Sequence, residues 1–230
     1  YQRVVLDKEG SDLAPVFNAR GYTLFVMTYR MPADGHAEGS EAPLADAQRA
    51  LRTLRARAAE WHIDPHKIGI MGFSAGGHVA ASLETRYSEP AYAAVDAVDR
   101  QSARPDFAVL GYPVISMDPA IAHPGSRKAL IGETPTAERQ HRYSPEQHVT
   151  PQTPPTFIFH AVDDPSVPVD NALVMFNALR AQQVPTELHL FAEGKHGFGI
   201  RGTRGLPAAE WPQLAMNWIA SLAEMNKSRQ

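Results

Sequence analysis

Apolar and polar positions along the chain alternate between the period of a strand and that of a helix. Residues 22–29 form a nearly continuous apolar and β-branched run, which is typical of a strand buried on both faces. From Pro43 onward the apolar residues follow at spacings of three and four, so they share one face of a predicted helix. They are Leu44, Ala47, Leu51, Leu54, Ala58 and Trp61.

The same alternation continues to the end of the chain. Four further short strands are predicted at residues 67–71, 107–112, 156–160 and 187–191. Four more helices are predicted at residues 7–20, 75–87 and 169–182, and around Trp211, Leu214, Trp218 and Leu222. Five strands alternating with five helices predict an α/β fold, with a mostly parallel sheet covered by helices on both faces. Such sheets bind ligands at the carboxyl ends of their strands.

Composition narrows the class of protein. The 230 residues carry 19 prolines and 16 glycines spread along the chain, and they predict one domain over residues 1–230. Lys and Arg number 22 and Asp and Glu 25, a net charge of −3 without a basic stripe, which argues against a nucleic-acid partner. The sequence contains no run of about 18 apolar residues, so no membrane span is predicted. Cysteine is absent, which excludes disulfides, thiol catalysis and Cys-bound metal and leaves the compartment open.

A glycine-rich turn follows the predicted strand at 67–71. It reads Gly72-Phe73-Ser74-Ala75-Gly76-Gly77 and leads into a predicted helix. A G-x-S-x-G sequence between a strand and a helix is typical of a nucleophile elbow, in which Gly72 and Gly76 permit the close approach of the two elements. The N-terminus of the helix offers free N–H groups to a developing oxyanion. The alternative is a glycine-rich turn capped by Ser74.

An acidic pair follows the predicted strand at 156–160. Asp163 and Asp164 stand where a carboxylate can orient a histidine and stabilise its charged form. The alternative role is that of an acidic cluster at the N-terminus of the helix at 169–182. The two residues can also divide these roles between them.

His196 stands between glycines, after the predicted strand at 187–191. Imidazole is the natural base for a serine hydroxyl at neutral pH. Alone, His196 would be interpreted as a surface histidine. Ser74, an Asp at 163 or 164 and His196 nevertheless occur in the order Ser, Asp, His, each after a different strand, which favours a catalytic triad on a parallel sheet.

Other polar and aromatic residues receive structural interpretations. Trp211 and Trp218 lie seven positions apart on one helix face and are predicted to be core residues. Asp46, on the arginine-rich helix, is predicted to form an ion pair. Several histidines show no repeated spacing and are interpreted as surface residues rather than metal ligands. They are His62, His66, His78, His141 and His148.

These motifs together resemble those of the α/β-hydrolases, and more narrowly the small bacterial acetylxylan esterases and feruloyl-esterase-like proteins. The resemblance covers essentially the whole chain. It is carried by residues 72–77, 164–168 and 196–198, with support from residues 43–47 and 64–69.

The resemblance implies a role for each site residue. Ser74 would be the nucleophile and His196 the general base and acid. Asp164 would be the acidic member, because the family has its Asp three residues before a Val-Pro pair. The backbone N–H of Ala75 would be one oxyanion donor, and no metal or other cofactor is implied.

The sequence departs from this family at the second oxyanion donor. The glycine-rich loop that supplies it in the family is not present, and residues 1–5 resemble the segment directly after that loop. We therefore expect the domain at residues 1–230 to be N-terminally incomplete, without its first strands. The chain opens at Tyr1, and because its first residues contain no basic segment followed by an apolar one, no signal peptide is predicted within residues 1–230.

The resemblance, with a polar insertion at residues 114–155, predicts a serine esterase. Its substrates would be small acyl esters, above all acetyl esters, of plant polysaccharides or oligosaccharides such as xylan. Two alternatives stay open, a serine peptidase similar to prolyl oligopeptidase and a non-catalytic binding module with the hydrolase fold. Esterases of this kind are often periplasmic or secreted, but the sequence leaves the compartment and the oligomeric state open.

Overall fold

Four parallel strands form the central sheet of the computed structural model, which describes residues 1–227. In spatial order they are β1 (Ile70–Phe73), β2 (Ala108–Gly111), β3 (Thr156–Ala161) and β4 (Thr186–Phe191). Phe73 lies opposite Gly111, and Gly111 lies opposite Phe159. The carboxyl ends of the strands therefore meet at one end of the sheet, which brings the loops that follow them together.

Helices connect and cover the strands. They are α1 (Ala14–Asn18), α2 (Ala42–Ala56), α3 (Ala75–Arg86), α4 (Pro124–Ile131), α5 (Ala137–Arg142), α6 (Asp170–Ala181) and α7 (Trp211–Lys227). The helix predicted at residues 7–20 is reduced to α1 and a preceding turn, because Pro15 starts a new first turn there. No helix within the described residues is long and apolar enough to cross a bilayer.

Both faces of the sheet are buried under helices, which confirms the predicted fold class. On one face, Trp211 of α7 stacks on Phe159 with ring centroids 4.4 Å apart, and Trp218 lies 5.8 Å from Phe157. Both tryptophans are buried, as predicted. On the other face, α3 and α6 pack against Leu110 and Ile158 of the two central strands.

Residues 22–29, predicted as a buried strand, belong to no strand or helix of the structure. Phe25 and Val26 are 43% and 47% exposed, so the prediction of burial on both faces is wrong. A strand needs hydrogen bonds from a neighbour, and no described residue pairs with the backbone N–H groups of this segment beyond its first residue. The segment leads to Arg30, whose guanidinium and backbone N–H bind Asp46 and confirm the predicted ion pair.

A cleft of about 1620 Å³ lies between this segment and β1, an edge strand of the described sheet. Its walls are largely apolar and include Leu24, Met27, Leu51, Ile70 and Ile219. The unpaired N–H groups of residues 23–29 and the free edge of β1 thus border the same apolar cleft. An added strand would satisfy both of them.

Glu84 of α3 makes the stability of the fold depend on pH. It is fully buried and accepts a hydrogen bond of 2.7 Å from Thr156 Oγ1, while its Oε1 has no partner among the described residues. Burial raises the pKa of Glu84 to about 8, from an ordinary value of 4.5. The protonated side chain is therefore the form that the folded protein favours.

We expect a Glu84→Gln variant to lose less stability than the wild type as the pH rises from 5 to 8. In that window the unfolded chain releases the Glu84 proton and the folded chain keeps it, so this group lowers the free energy of unfolding by roughly 1.4 kcal/mol per pH unit. Glutamine cannot titrate and removes that slope. Urea unfolding at pH 5, 6.5 and 8 measures it, and equal slopes in both proteins would contradict the assignment.

Candidate active site

Ser74 lies in a sharp turn between β1 and α3, with a φ of 53° and a ψ of −121°. A positive φ costs a residue with a Cβ about 1–2 kcal/mol, so neighbouring bonds must hold it. The N–H of Ser74 donates to the carbonyl of Gly111 at 3.1 Å, and its carbonyl accepts the N–H of Val114 at 3.0 Å. The β2 strand and the loop after it therefore fix the turn, which lies at the carboxyl end of β1.

The space around this turn restricts one of the two predicted elbow glycines. A Cβ on Gly72 would overlap the carbonyl oxygen of Gly76. A Cβ on Gly76 would lie 3.8 Å from its nearest neighbour, the hydroxyl of Tyr29, so the predicted lack of space is wrong for Gly76. The second tight position is Gly77, where a Cβ would lie 2.7 Å from the Cβ of Pro113. This contact comes from the loop after β2, which the local motif does not contain.

Ala75 is the first residue of α3, directly after Ser74. No described carbonyl accepts its N–H, as expected at the start of a helix. The N-terminal end of α3 adds a positive partial charge at the same place. The structure therefore leaves one free donor next to the Ser74 hydroxyl, at the position predicted for an oxyanion donor.

A chain of two hydrogen bonds joins Ser74, His196 and Asp164. Ser74 Oγ lies 2.8 Å from His196 Nε2, and His196 Nδ1 lies 2.7 Å from Asp164 Oδ2. An ionised carboxylate only accepts, so His196 Nδ1 carries the ring proton and Nε2 is free to accept the hydroxyl proton. The Asp164 side chain is fully buried, whereas that of His196 is 23% exposed. The imidazole is thus reachable and its carboxylate partner is shielded from water.

The carboxylate of Asp164 receives hydrogen bonds on both oxygens. Oδ1 accepts the backbone N–H groups of Ser166 at 2.8 Å and Val167 at 3.0 Å. Burial alone would raise the pKa of Asp164, but hydrogen bonds from His160, His196 and these two N–H groups outweigh it and hold the pKa well below its usual range. Asp164 is therefore ionised at neutral pH, as the partner of an imidazolium must be.

Asp163 has a different task from its neighbour. Its Oδ1 accepts the N–H groups of Gly194 at 2.9 Å and Lys195 at 2.8 Å. Lys195 has a φ of 59°, a conformation that needs such support. The structure thus separates the two aspartates, which the sequence alone leaves open: Asp164 contacts His196, and Asp163 holds the loop that carries it.

The loop that carries His196 is held from several sides by residues to which sequence reasoning assigns no role. The hydroxyl of Tyr112, directly after β2, accepts a hydrogen bond from the N–H of Gly199. The same hydroxyl donates to Glu9 at 2.8 Å. Its ring lies 5.3 Å from the His196 ring in an edge-on arrangement. Lys8 Nζ donates to the carbonyl of Gly197 at 2.7 Å. The only signal in the sequence is the position of Tyr112 at a strand end.

The insertion at residues 114–155 is a folded unit rather than an open loop. It contains α4 and α5. An apolar cluster joins the end of α4 and the residue after α5 to the segments around them, and it consists of Val114, Met117, Leu130, Ile131, Tyr143 and Val167. His123 caps α4, since its Nδ1 accepts the N–H of Ser126 at 3.1 Å. Burial and the neighbouring His196 lower the pKa of His123, which favours a neutral imidazole beside the site.

His78 departs from the prediction of surface histidines. It is buried four residues after Ser74 in α3, where Nε2 donates to the carbonyl of Tyr143 and Nδ1 accepts the Tyr1 hydroxyl. Burial lowers the pKa of His78 to about 4. The prediction is wrong because His78 lies on the inner face of α3. Among the described residues, no group of three His, Cys, Asp or Glu side chains could hold a metal ion.

A serine, a histidine and a buried aspartate hydrogen-bonded at the carboxyl end of a parallel sheet define the class, an α/β-hydrolase fold with a serine-hydrolase type of site. The chain belongs to the BD-FAE family, whose model matches residues 7–179. This match confirms the resemblance to α/β-hydrolases of the carbohydrate-esterase branch.

Two curated relatives act in the breakdown of xylan, according to their names. The chain is 33% identical over 226 residues to an acetylxylan esterase of Xylanibacter ruminicola, covering 96% of this chain and 44% of that protein. It is 36% identical over 197 residues to endo-1,4-beta-xylanase B of Butyrivibrio fibrisolvens, covering 84% of this chain and 30% of that protein. The chain thus spans less than half the length of either relative.

A solved structure matches most of the chain. It is an acetyl ester-xyloside bifunctional hydrolase from Caldicellulosiruptor lactoaceticus, with a TM-score of 0.85 and 41% identity, covering 94% of this chain and 77% of that one. The similarity therefore extends over the sheet, the helices and the loops that carry the site.

Proposed function

We propose that this chain is a serine esterase that hydrolyses small acyl esters, above all acetyl esters, of plant polysaccharides or oligosaccharides such as xylan. The observation that carries the proposal is the hydrogen-bonded chain from Ser74 Oγ through His196 to the buried carboxylate of Asp164. An activated hydroxyl beside a free helix N–H has the groups that acyl transfer requires.

The reaction proceeds in two halves through an acyl-enzyme. Ser74 Oγ attacks the ester carbonyl while His196 Nε2 takes its proton, and the N–H of Ala75 donates to the oxyanion. Collapse of this intermediate breaks the ester bond, and the imidazolium of His196 returns the proton to the departing alcohol. Water then attacks the acyl-Ser74 and loses a proton to His196. The bond between the acyl group and Ser74 Oγ breaks, His196 returns the proton to Oγ, and the acid is released.

The names of the relatives and the character of the insertion support a sugar ester as the substrate. An acetylxylan esterase and an acetyl ester-xyloside hydrolase are both similar to this chain over at least 94% of its length. Residues 114–155 place polar and charged side chains on the surface, whereas a lipid ester would favour an apolar cover. A bulky polar alcohol with a small acyl group fits this surface.

One further strand, in the cleft between residues 22–29 and β1, would complete this esterase domain. Both walls offer unpaired backbone groups, and the sheet would then continue from β1 to residues 22–29. The loop that follows such a strand would end near Ala75 and supply the second oxyanion N–H. Without that donor, turnover falls by about 10²- to 10³-fold.

Release of acetate from acetylated xylo-oligosaccharides tests the proposal. The comparison includes this chain, its Ser74→Ala variant and a longer version with whatever residues the gene encodes ahead of Tyr1. We expect Ser74-dependent release in both active forms, stronger in the extended one. A folded protein that releases no acetate in either form would reject the sugar esterase, and cleavage of short peptide amides instead would favour the peptidase.

A further inference from the structure

His160 is a fully buried histidine next to the site that the proposed mechanism does not use. It is the second-last residue of β3, and its side chain has no exposed surface. Its Nε2 lies 3.0 Å from the carbonyl oxygen of Val167 and 3.3 Å from Oδ2 of Asp164. One ring nitrogen therefore faces both ends of the turn at residues 164–167.

The partners of His160 fix where its proton is. A carbonyl oxygen only accepts, so Nε2 must carry the hydrogen that it donates to Val167. The same hydrogen lies beside the Asp164 carboxylate. The other nitrogen, Nδ1, is buried and has no partner among the described residues. The polar contacts of His160 are thus confined to this turn.

The carboxylate of Asp164 is defined by contacts from three directions. The N–H groups of Ser166 and Val167 hold Oδ1, and the remaining contacts are made at Oδ2. At Oδ2 the carboxylate accepts a hydrogen bond from Nδ1 of His196 and lies 3.3 Å from Nε2 of His160. His196 belongs to a partly exposed loop, whereas His160 belongs to a central strand, so His160 is the rigid member of the pair.

We propose that His160 is a positioning residue, which holds Oδ2 of Asp164 in line with Nδ1 of His196. The inference rests on the proposed esterase function, because it assigns His160 a role in that reaction. Without His160, the side-chain group that remains at Oδ2 among the described residues is the imidazole that this oxygen has to orient. A misplacement of about 1 Å in a reacting group can cost on the order of 10²-fold in rate.

A positioning role and a merely structural role predict different kinetics. A structural histidine contributes to stability, and its loss leaves the turnover of the folded enzyme unchanged. A positioning histidine contributes to kcat, and its loss leaves KM unchanged because the buried side chain cannot touch substrate. The separation of kcat from KM, measured on folded protein, therefore decides between them.

Three variants make the test. His160→Phe keeps a ring without the donor, and His160→Gln restores an N–H donor at the position of Nε2. Thr156→Val is the matched control, since it removes a buried hydrogen bond of 2.7 Å to Glu84 from the opposite end of the same strand. Should the Phe variant fail to fold, His160→Asn takes its place, because its amide is one bond too short to reach the turn.

The measurement is steady-state hydrolysis of 4-nitrophenyl acetate, below the unfolding temperature of every variant. We expect His160→Phe to lower kcat by about 10- to 100-fold with KM within about twofold, and His160→Gln to recover most of the loss. Thr156→Val should lower the unfolding temperature and keep kcat. Unchanged kcat in His160→Phe, or a Gln variant no better than Phe or Asn, overturns the positioning role. An inactive wild-type enzyme would instead reject the esterase itself.

Discussion

Replacing Ser74 by Ala is expected to lower kcat for 4-nitrophenyl acetate by about 10⁶-fold, the largest loss of any single change in the molecule. The variant keeps the N–H of Ala75 and the N-terminus of α3, so a small rate above that of water remains. Alanine also fits the turn, since among the described residues the hydroxyl makes no hydrogen bond besides the one with His196. The loss should therefore come from chemistry and not from unfolding.

The His196→Ala variant extends the same prediction. The serine needs the histidine as its base, and the histidine has no catalytic task without the serine. His196→Ala and the double variant should therefore both lose about as much kcat as Ser74→Ala alone. The matched control is Ser82→Ala, which alters another buried serine of α3 outside the site. Its kcat should stay within about twofold of the wild type. Losses that add up in the double variant would show that the two residues do not act as one unit.

The site could be predicted from the sequence because its reacting residues stand in short local motifs. The glycine-rich turn around Ser74 and the loops around Asp164 and His196 each follow a recognisable strand. The topology of a parallel sheet then brings such loops to the same end. The sequence leaves open those roles that depend on distant partners. His160 and Tyr112 stand at strand ends without a motif, and the Gly199 that Tyr112 binds is 87 residues away.

The fold, too, could be predicted where the local sequence decides the structure, and not where a pairing partner decides it. The strand predicted at residues 156–160 is confirmed, because composition and burial agree there. Residues 22–29 have an even stronger strand composition and form no strand, because pairing is a property of two segments. The lack of space for a Cβ that was expected at Gly76 is found at Gly77, and this also depends on a distant partner. The Cβ of Pro113, in the loop after β2, occupies the space that a Cβ on Gly77 would need.

Changing Asp164 to Asn is expected to lower kcat by about 10⁴-fold, while the same change at Asp163 lowers it by less than about tenfold. In the Asp164→Asn variant the amide oxygen can still accept the N–H groups of Ser166 and Val167, so the turn survives. The amide N–H₂ group then faces Nδ1 of His196, which favours the tautomer with the proton on Nε2. That nitrogen can no longer accept the proton of Ser74 Oγ.

Asp163→Asn is the matched control, because it makes the same chemical change one residue away. The amide oxygen can still accept the N–H groups of Gly194 and Lys195, so the His196 loop keeps its support at a loss of about 1 kcal/mol. Both variants are compared by kcat and KM for 4-nitrophenyl acetate and by their urea unfolding curves. Equal losses in the two variants would mean that the acidic pair acts through its total charge. A greater loss for Asp163→Asn would move the acidic role to Asp163, against the contact that Asp164 makes with His196.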